Sequence, residues 1–123
     1  MSFFNILFVF LGGGGGSVLR FLISWVVKTQ TAVTLPVATF LANAIAVVVY
    51  ALVFLSLQQK ENDTLKYLIL VGFCGGLSTF STFSYETFEL FKRGENVWAI
   101  ANIVLNNVFC ITLFYFLVKK VAV

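Results

Sequence analysis

A chain in which nearly every residue from 3 to 118 falls into one of four long apolar blocks has few folds open to it. The blocks lie near residues 3–27, 34–57, 65–91 and 96–118. A bilayer core is ~30 Å thick and a helix rises ~1.5 Å per residue, so each block can cross it. Strands of a membrane barrel are about half that length and alternate strictly in polarity; these blocks do neither. Only 11% of the residues are charged against 60% hydrophobic, too little charge to keep a soluble domain of this size dissolved. The expected fold is an all-α membrane protein, one four-span domain over residues 1–123. It is expected to be multi-pass in the cell's inner (plasma) membrane with lipid around it, leaving no room for a soluble domain.

The side chains exclude several chemistries. There is no histidine, so a His-based catalytic triad is ruled out. Cys74 and Cys110 both fall inside predicted spans and read as small buried hydrophobes. No cluster has metal-ligand spacing, and neither enzymatic activity nor a nucleic-acid partner is expected. The N-terminal "MSFFNILFVFLGGGGGS" lacks the basic segment of a cleavable leader. Orientation is nearly undecided. With four spans both termini share a side, which carries Lys60, Lys66, Lys119 and Lys120; the other carries Lys28, Lys92 and Arg93. Orientation follows a bias in such charges, and here there is almost none. Either the one-residue difference suffices, or the chain inserts both ways. Insertion both ways permits an antiparallel dimer with a two-fold axis in the membrane plane.

The first span contains "GGGGGSVLR". Glycine weakens a water-soluble helix by about 1 kcal/mol per residue, but in a membrane it lets backbones approach closely. Gly12 and Gly16 have the spacing of a packing face. Arg20 lies about 26 Å along that helix, near the far interface, where it either snorkels or marks the mouth of an anion path. The second span has Pro36 in its first turn, where the missing N–H costs little, and carries Asn43 near mid-membrane. An amide there either bonds between helices or presents its N–H groups to a permeating ion.

The third span holds "CGGLSTFSTFSYE". Gly75-Gly76 followed by Leu-Ser-Thr is poor helix, so a mid-membrane break is expected there. Such a break is tolerated only where it is buried in protein or lines a polar cavity. It frees carbonyls that suit a small cation, and it starts a half-helix near Ser78 whose N-terminus suits anions. Phe80 and Phe83, three apart, share a face, with Thr79, Ser81, Thr82 and Ser84 around them. Glu86 and Glu89 follow near the span's end, with Glu86 placed to bond to the hydroxyls. In the fourth span Asn102, Asn106 and Cys110 recur every four residues as one polar stripe, either interhelical glue or an ion track. The deep polar groups are hydrogen-bond donors, and aromatic ring edges are electropositive, so the interior suits an anion.

"GGGGGSVLR", "TFLANAIA" and above all "GFCGGLSTFSTFSYE" resemble the signature segments of the Fluc (CrcB-type) fluoride channel family, over the whole chain and in the same order. The resemblance implies passive fluoride export and fluoride resistance by a dual-topology, antiparallel homodimer with two pores. Fluoride enters cells as neutral hydrogen fluoride, dissociates, and leaves through the channel. The resemblance also implies a structural Na⁺ at the dimer axis, held by the backbone carbonyls of Gly75 and Ser78. It implies fluoride-lining rings at Phe80 and Phe83, a donor at Asn43, path-lining hydroxyls at Ser81 and Thr82, and a vestibule charge at Arg20. The Asn102, Asn106 and Cys110 stripe takes the place of the family's polar track. Ser78 stands where threonine is common, Ala46 where glycine is common, and the stripe is amide-rich rather than mainly hydroxyl.

Two other classes compete. A small proton-coupled multidrug exporter is also a four-span, dual-topology dimer, but it needs an acid deep in the first span, and residues 3–19 have none. A packing subunit of a larger membrane complex has no use for a break at a dimer centre.

Overall fold

The computed structural model describes residues 2–122 and is helical along nearly all of them. Helix α1 runs Phe3–Gln30; the Ser2 side chain accepts the Asn5 backbone N–H at its start. Helix α2 runs Val37–Leu57 and begins directly after Pro36, whose ring fixes φ and whose missing N–H costs nothing there. The third helical run opens as α3, Asp63–Leu65, where the Asn62 side chain accepts the Leu65 N–H at 3.1 Å. It widens into a π-helical stretch, Lys66–Phe73, and closes as α4, Cys74–Leu77. Helix α5, Ser81–Lys92, completes it. A turn follows in which Gly94 takes φ 80°, a left-handed conformation that favours glycine. The fourth run is α6, Asn96–Ile103, a second π-helical stretch, Val104–Phe109, and α7, Cys110–Ala122.

Among the described residues four helices are long and apolar enough to cross a membrane: Phe3–Gln30, Val37–Leu57, Asp63–Lys92 and Asn96–Lys120. They match the expected blocks, with the ends moved by the Pro36 and Asn62 caps. The outer surface is apolar, with Phe10, Phe21, Val97 and Ile111 exposed. In water such a surface drives aggregation; against lipid it is solvated.

Glycine decides how the first helix sits. α1 lies on the Lys66–Phe73 stretch and on α4. Gly16 is buried, and a Cβ there would overlap the Phe73 carbonyl and stand 2.7 Å from the Leu77 nitrogen. From the other side Gly76 packs on the Gly13 backbone. Gly14 and Gly15 face nothing within 4 Å. Behind this seam Ala42, Ala46 and Leu77 form a small buried core, with Leu19, Ile23 and Phe73 packed on it.

The interruption of the third run falls later than expected. Gly75 and Gly76 remain helical in α4, and the chain leaves the helix at Ser78 (φ −77°, ψ 155°) and resumes at Ser81. Gly76 packs on the Gly13 backbone in the close seam with α1, and the turn falls on the next residues, whose hydroxyls offer alternative bonds.

Candidate functional site

The interruption opens onto a cavity of about 530 Å³ between α2, the third run and α7. Asn43, Gly75, Ser78, Phe80, Asn106 and Cys110, from three distant segments, all line it. Tyr50 and Phe114 line it as well, with ring centroids 5.9 Å apart. Neither stood out in the sequence, yet a signal existed. Tyr50 is seven residues from Asn43 and Phe114 is eight from Asn106, spacings that return to the same helix face.

Asn43 holds the interruption in place. Its Oδ1 accepts the Thr79 backbone N–H at 2.8 Å, while its Nδ2 donates to Asn106 Oδ1 at 2.7 Å and to the Thr79 carbonyl at 3.4 Å. Both amide hydrogens are thus engaged within the protein. The Thr79 hydroxyl accepts the Thr82 N–H at 3.2 Å, satisfying one of the free donors at the start of α5. The other hydroxyls mostly turn back on their own helix. Ser78, Ser84 and Thr87 each donate to the carbonyl four residues earlier at 2.8 Å. Ser81 lies on an exposed face within 3.4 Å of the Thr79 hydroxyl, and Thr82 is half-buried; neither lines the cavity.

The carbonyls around the interruption are unequally used. Cys74 O accepts from Ser78, Gly76 O from Arg20 Nε at 3.1 Å, and Thr79 O from Asn43. Among the described residues no hydrogen bond reaches the carbonyls of Gly75, Leu77 or Ser78. These are neutral oxygens of the type a hard cation takes. The same residues hold no group of three or more His, Cys, Asp or Glu side chains that could bind a metal. Arg20 is half-buried and committed to the C-terminal end of α4, where helix carbonyls favour positive charge.

Phe80 and Phe83 are brought together, with ring centroids 5.5 Å apart at 49°. Their surroundings differ: Phe83 is 7% exposed and Phe80 73%. Phe80 stands just before α5 on the cavity's open side, whereas Phe83 is on the helix against the protein.

The fourth-run stripe is divided. Asn106 and Cys110 face the cavity; Asn102 lines a small apolar recess of about 130 Å³ beside Trp98 and Phe40. Asn106 Nδ2 still reaches back to Asn102 Oδ1 at 2.9 Å, and Asn102 Nδ2 donates to the Thr87 hydroxyl at 2.9 Å. Glu86 keeps one carboxylate oxygen buried without a hydrogen bond among the described residues.

Residues 7–118 match the family model described as CrcB-like protein, Camphor Resistance. A curated relative from Pyrococcus furiosus, named fluoride-specific ion channel FluC, is 39% identical across 98% of this chain and 100% of its own length. Fluoride-specific ion channel FluC 1 of Yersinia pestis is 42% identical over 85% of this chain and 83% of its own. A FluC from Methanococcus aeolicus is 35% identical over 90% and 89%.

Proposed function

The chain belongs to the CrcB-like family, and from that membership we propose that it is a fluoride-selective ion channel, giving passive export of fluoride and resistance to its toxicity. It is a multi-pass protein of the plasma membrane and a transporter, not an enzyme. The observation that carries the reading is the cavity in which the interruption, the Asn43 amide and the Phe80 ring meet. Small anions are held by N–H and O–H donors and by the electropositive edges of aromatic rings. The Phe80, Tyr50 and Phe114 rings line the cavity with no acid beside them, while the Asn43 and Asn106 amide hydrogens are spent on holding the interruption in place. The fluoride path runs past Phe80 and Phe83, with Asn43, Ser81, Thr82, Asn102, Asn106 and Cys110 along or behind it. Arg20 contributes a fixed positive charge at its vestibule. The exporter alternative is not favoured, since α1 contains no acidic residue.

The working unit of the proposal is an antiparallel homodimer of dual topology. Non-helical backbone at membrane depth must be covered by protein or line a water-filled cavity. Here it opens on a face where Gly75 and Phe80 are exposed, so a second copy laid across that face would bury it. The near-even charge distribution permits both orientations. In that dimer the Gly75 and Ser78 carbonyls of each subunit would hold one structural Na⁺. The donor set fits: neutral oxygens with no competing hydrogen bond and no acid to favour a divalent ion. A bound monovalent cation would supply a fixed positive charge that lowers the barrier for an anion nearby.

The test is ion efflux from liposomes containing only this protein. Fluoride efflux at least a hundredfold faster than chloride supports the reading; comparable rates for the two ions overturn the selectivity claim.

A further inference from the structure

One buried hydroxyl, that of Thr87, has no role in the path described above. Thr87 and Asn102 are 8% and 5% exposed and bonded to each other at 2.9 Å. They end a chain of hydrogen bonds whose direction is fixed throughout. The Thr79 N–H can only donate, so Asn43 must turn its Oδ1 toward it. Asn43 Nδ2 then faces Asn106, which must present Oδ1. Asn106 Nδ2 in turn faces Asn102 Oδ1, which leaves Asn102 Nδ2 toward Thr87. The Thr87 hydroxyl accepts that bond and spends its one hydrogen on the Phe83 carbonyl at 2.8 Å. One end of the relay is the residue before Phe80 and the other is the backbone of Phe83, the two residues whose rings lie 5.5 Å apart.

We propose that Thr87, held by Asn102, is a positioning residue that sets the Phe83 ring against Phe80. The inference rests on the reading of these rings as part of the fluoride path. The α5 helix reaches α6 through this bond, and α6 reaches the interruption through the two asparagines. A buried amide with no acceptor in reach is costly, so the arrangement resists rotation of α5. Ordinary back-bonding by threonine within a helix needs only the Phe83 carbonyl; the added bond from Asn102 at full burial makes Thr87 a junction between helices.

The experiment measures fluoride flux per folded protein for Thr87→Val and Thr87→Ser, each in the parent and in the Phe83→Ile background. Valine keeps the shape and removes the hydroxyl; serine keeps it. We expect Thr87→Val to lower flux about tenfold in the parent, the effect of ~1.4 kcal/mol on a barrier. We expect Thr87→Ser to stay within about threefold, and Thr87→Val to add less than about twofold once Phe83 is isoleucine. A residue acting only through general stability would reduce flux equally in both backgrounds, and that result overturns the proposal. Should Thr87→Val fail to fold, Asn102→Leu breaks the same bond from the other side, with the same expected loss and the same silence beside Phe83→Ile. A conducting parent unaffected by either change overturns this inference alone. A parent that conducts no fluoride overturns the channel reading and this inference with it.

Discussion

Neighbouring glycines in α1 should respond oppositely to the same substitution. Gly16→Ala places a Cβ onto the Phe73 carbonyl and 2.7 Å from the Leu77 nitrogen. Carbon atoms in contact prefer about 3.5–4.0 Å, so α1 must move off α4 by roughly 1 Å. Neither neighbour can yield alone, because both are backbone atoms. A gap of about 1 Å forfeits a quarter to a half of each dispersion contact along the seam, and overpacking of this kind typically costs ~1–3 kcal/mol. The shift also strains the bond from Arg20 to Gly76, adding about 1 kcal/mol. Gly15→Ala meets nothing within 4 Å and gains up to ~1 kcal/mol of helix propensity. The helix-propensity gain is common to both substitutions, so the two variants should differ by about 2–4 kcal/mol, the sum of the overpacking and the strained bond. Thermal unfolding of the purified protein in detergent, followed by tryptophan fluorescence, reads the difference. Gly16→Ala should melt well below the parent and Gly15→Ala at or above it. Equal melting of the two variants would refute the close seam between α1 and α4.

Phe80→Ile and Phe83→Ile should both lower fluoride flux strongly, because each removes ring edges. Only Phe83→Ile should also lower thermal stability, by about 1–2 kcal/mol, since Phe83 is 7% exposed and Phe80 73%. Parental flux in both variants would reduce the rings to packing. Lysines added beside Lys92 should bias insertion one way and abolish fluoride resistance when that form is expressed alone; co-expression with an oppositely biased form should restore it. Resistance from a single biased form would mean that an antiparallel pair is not required. Replacing Na⁺ by a much larger cation on both sides should slow fluoride flux, while the reversal potential of the current follows fluoride alone. A reversal potential that tracks the Na⁺ gradient would show coupled transport instead of a channel.

The sequence alone determined the four spans, because the length and hydropathy of a segment decide whether it can sit in lipid, and neither needs a partner. It also determined which residues would be unusual in lipid: the glycine run, Arg20, Asn43, the asparagines of the fourth run, and the Ser/Thr/Phe segment. Their division of labour was decided by tertiary structure. Periodicity says which face a residue occupies but not what lies opposite: Gly12 and Gly16 had the spacing of a packing face, but only the approach of α1 to the third run made Gly16 required and left Gly15 free. The break expected across Gly75–Ser78 begins only at Ser78: propensity favoured ending at the glycines, but Gly76 packs on Gly13 and both stay helical. Asn43 could have faced an ion or a helix; the Thr79 N–H, 36 residues away in sequence, fixed its orientation. The even spacing of Asn102, Asn106 and Cys110 predicted one stripe for an α-helix. Within it Asn102 bonds both to Asn106 and to Thr87, and the second is a contact between two runs that no spacing within either run encodes.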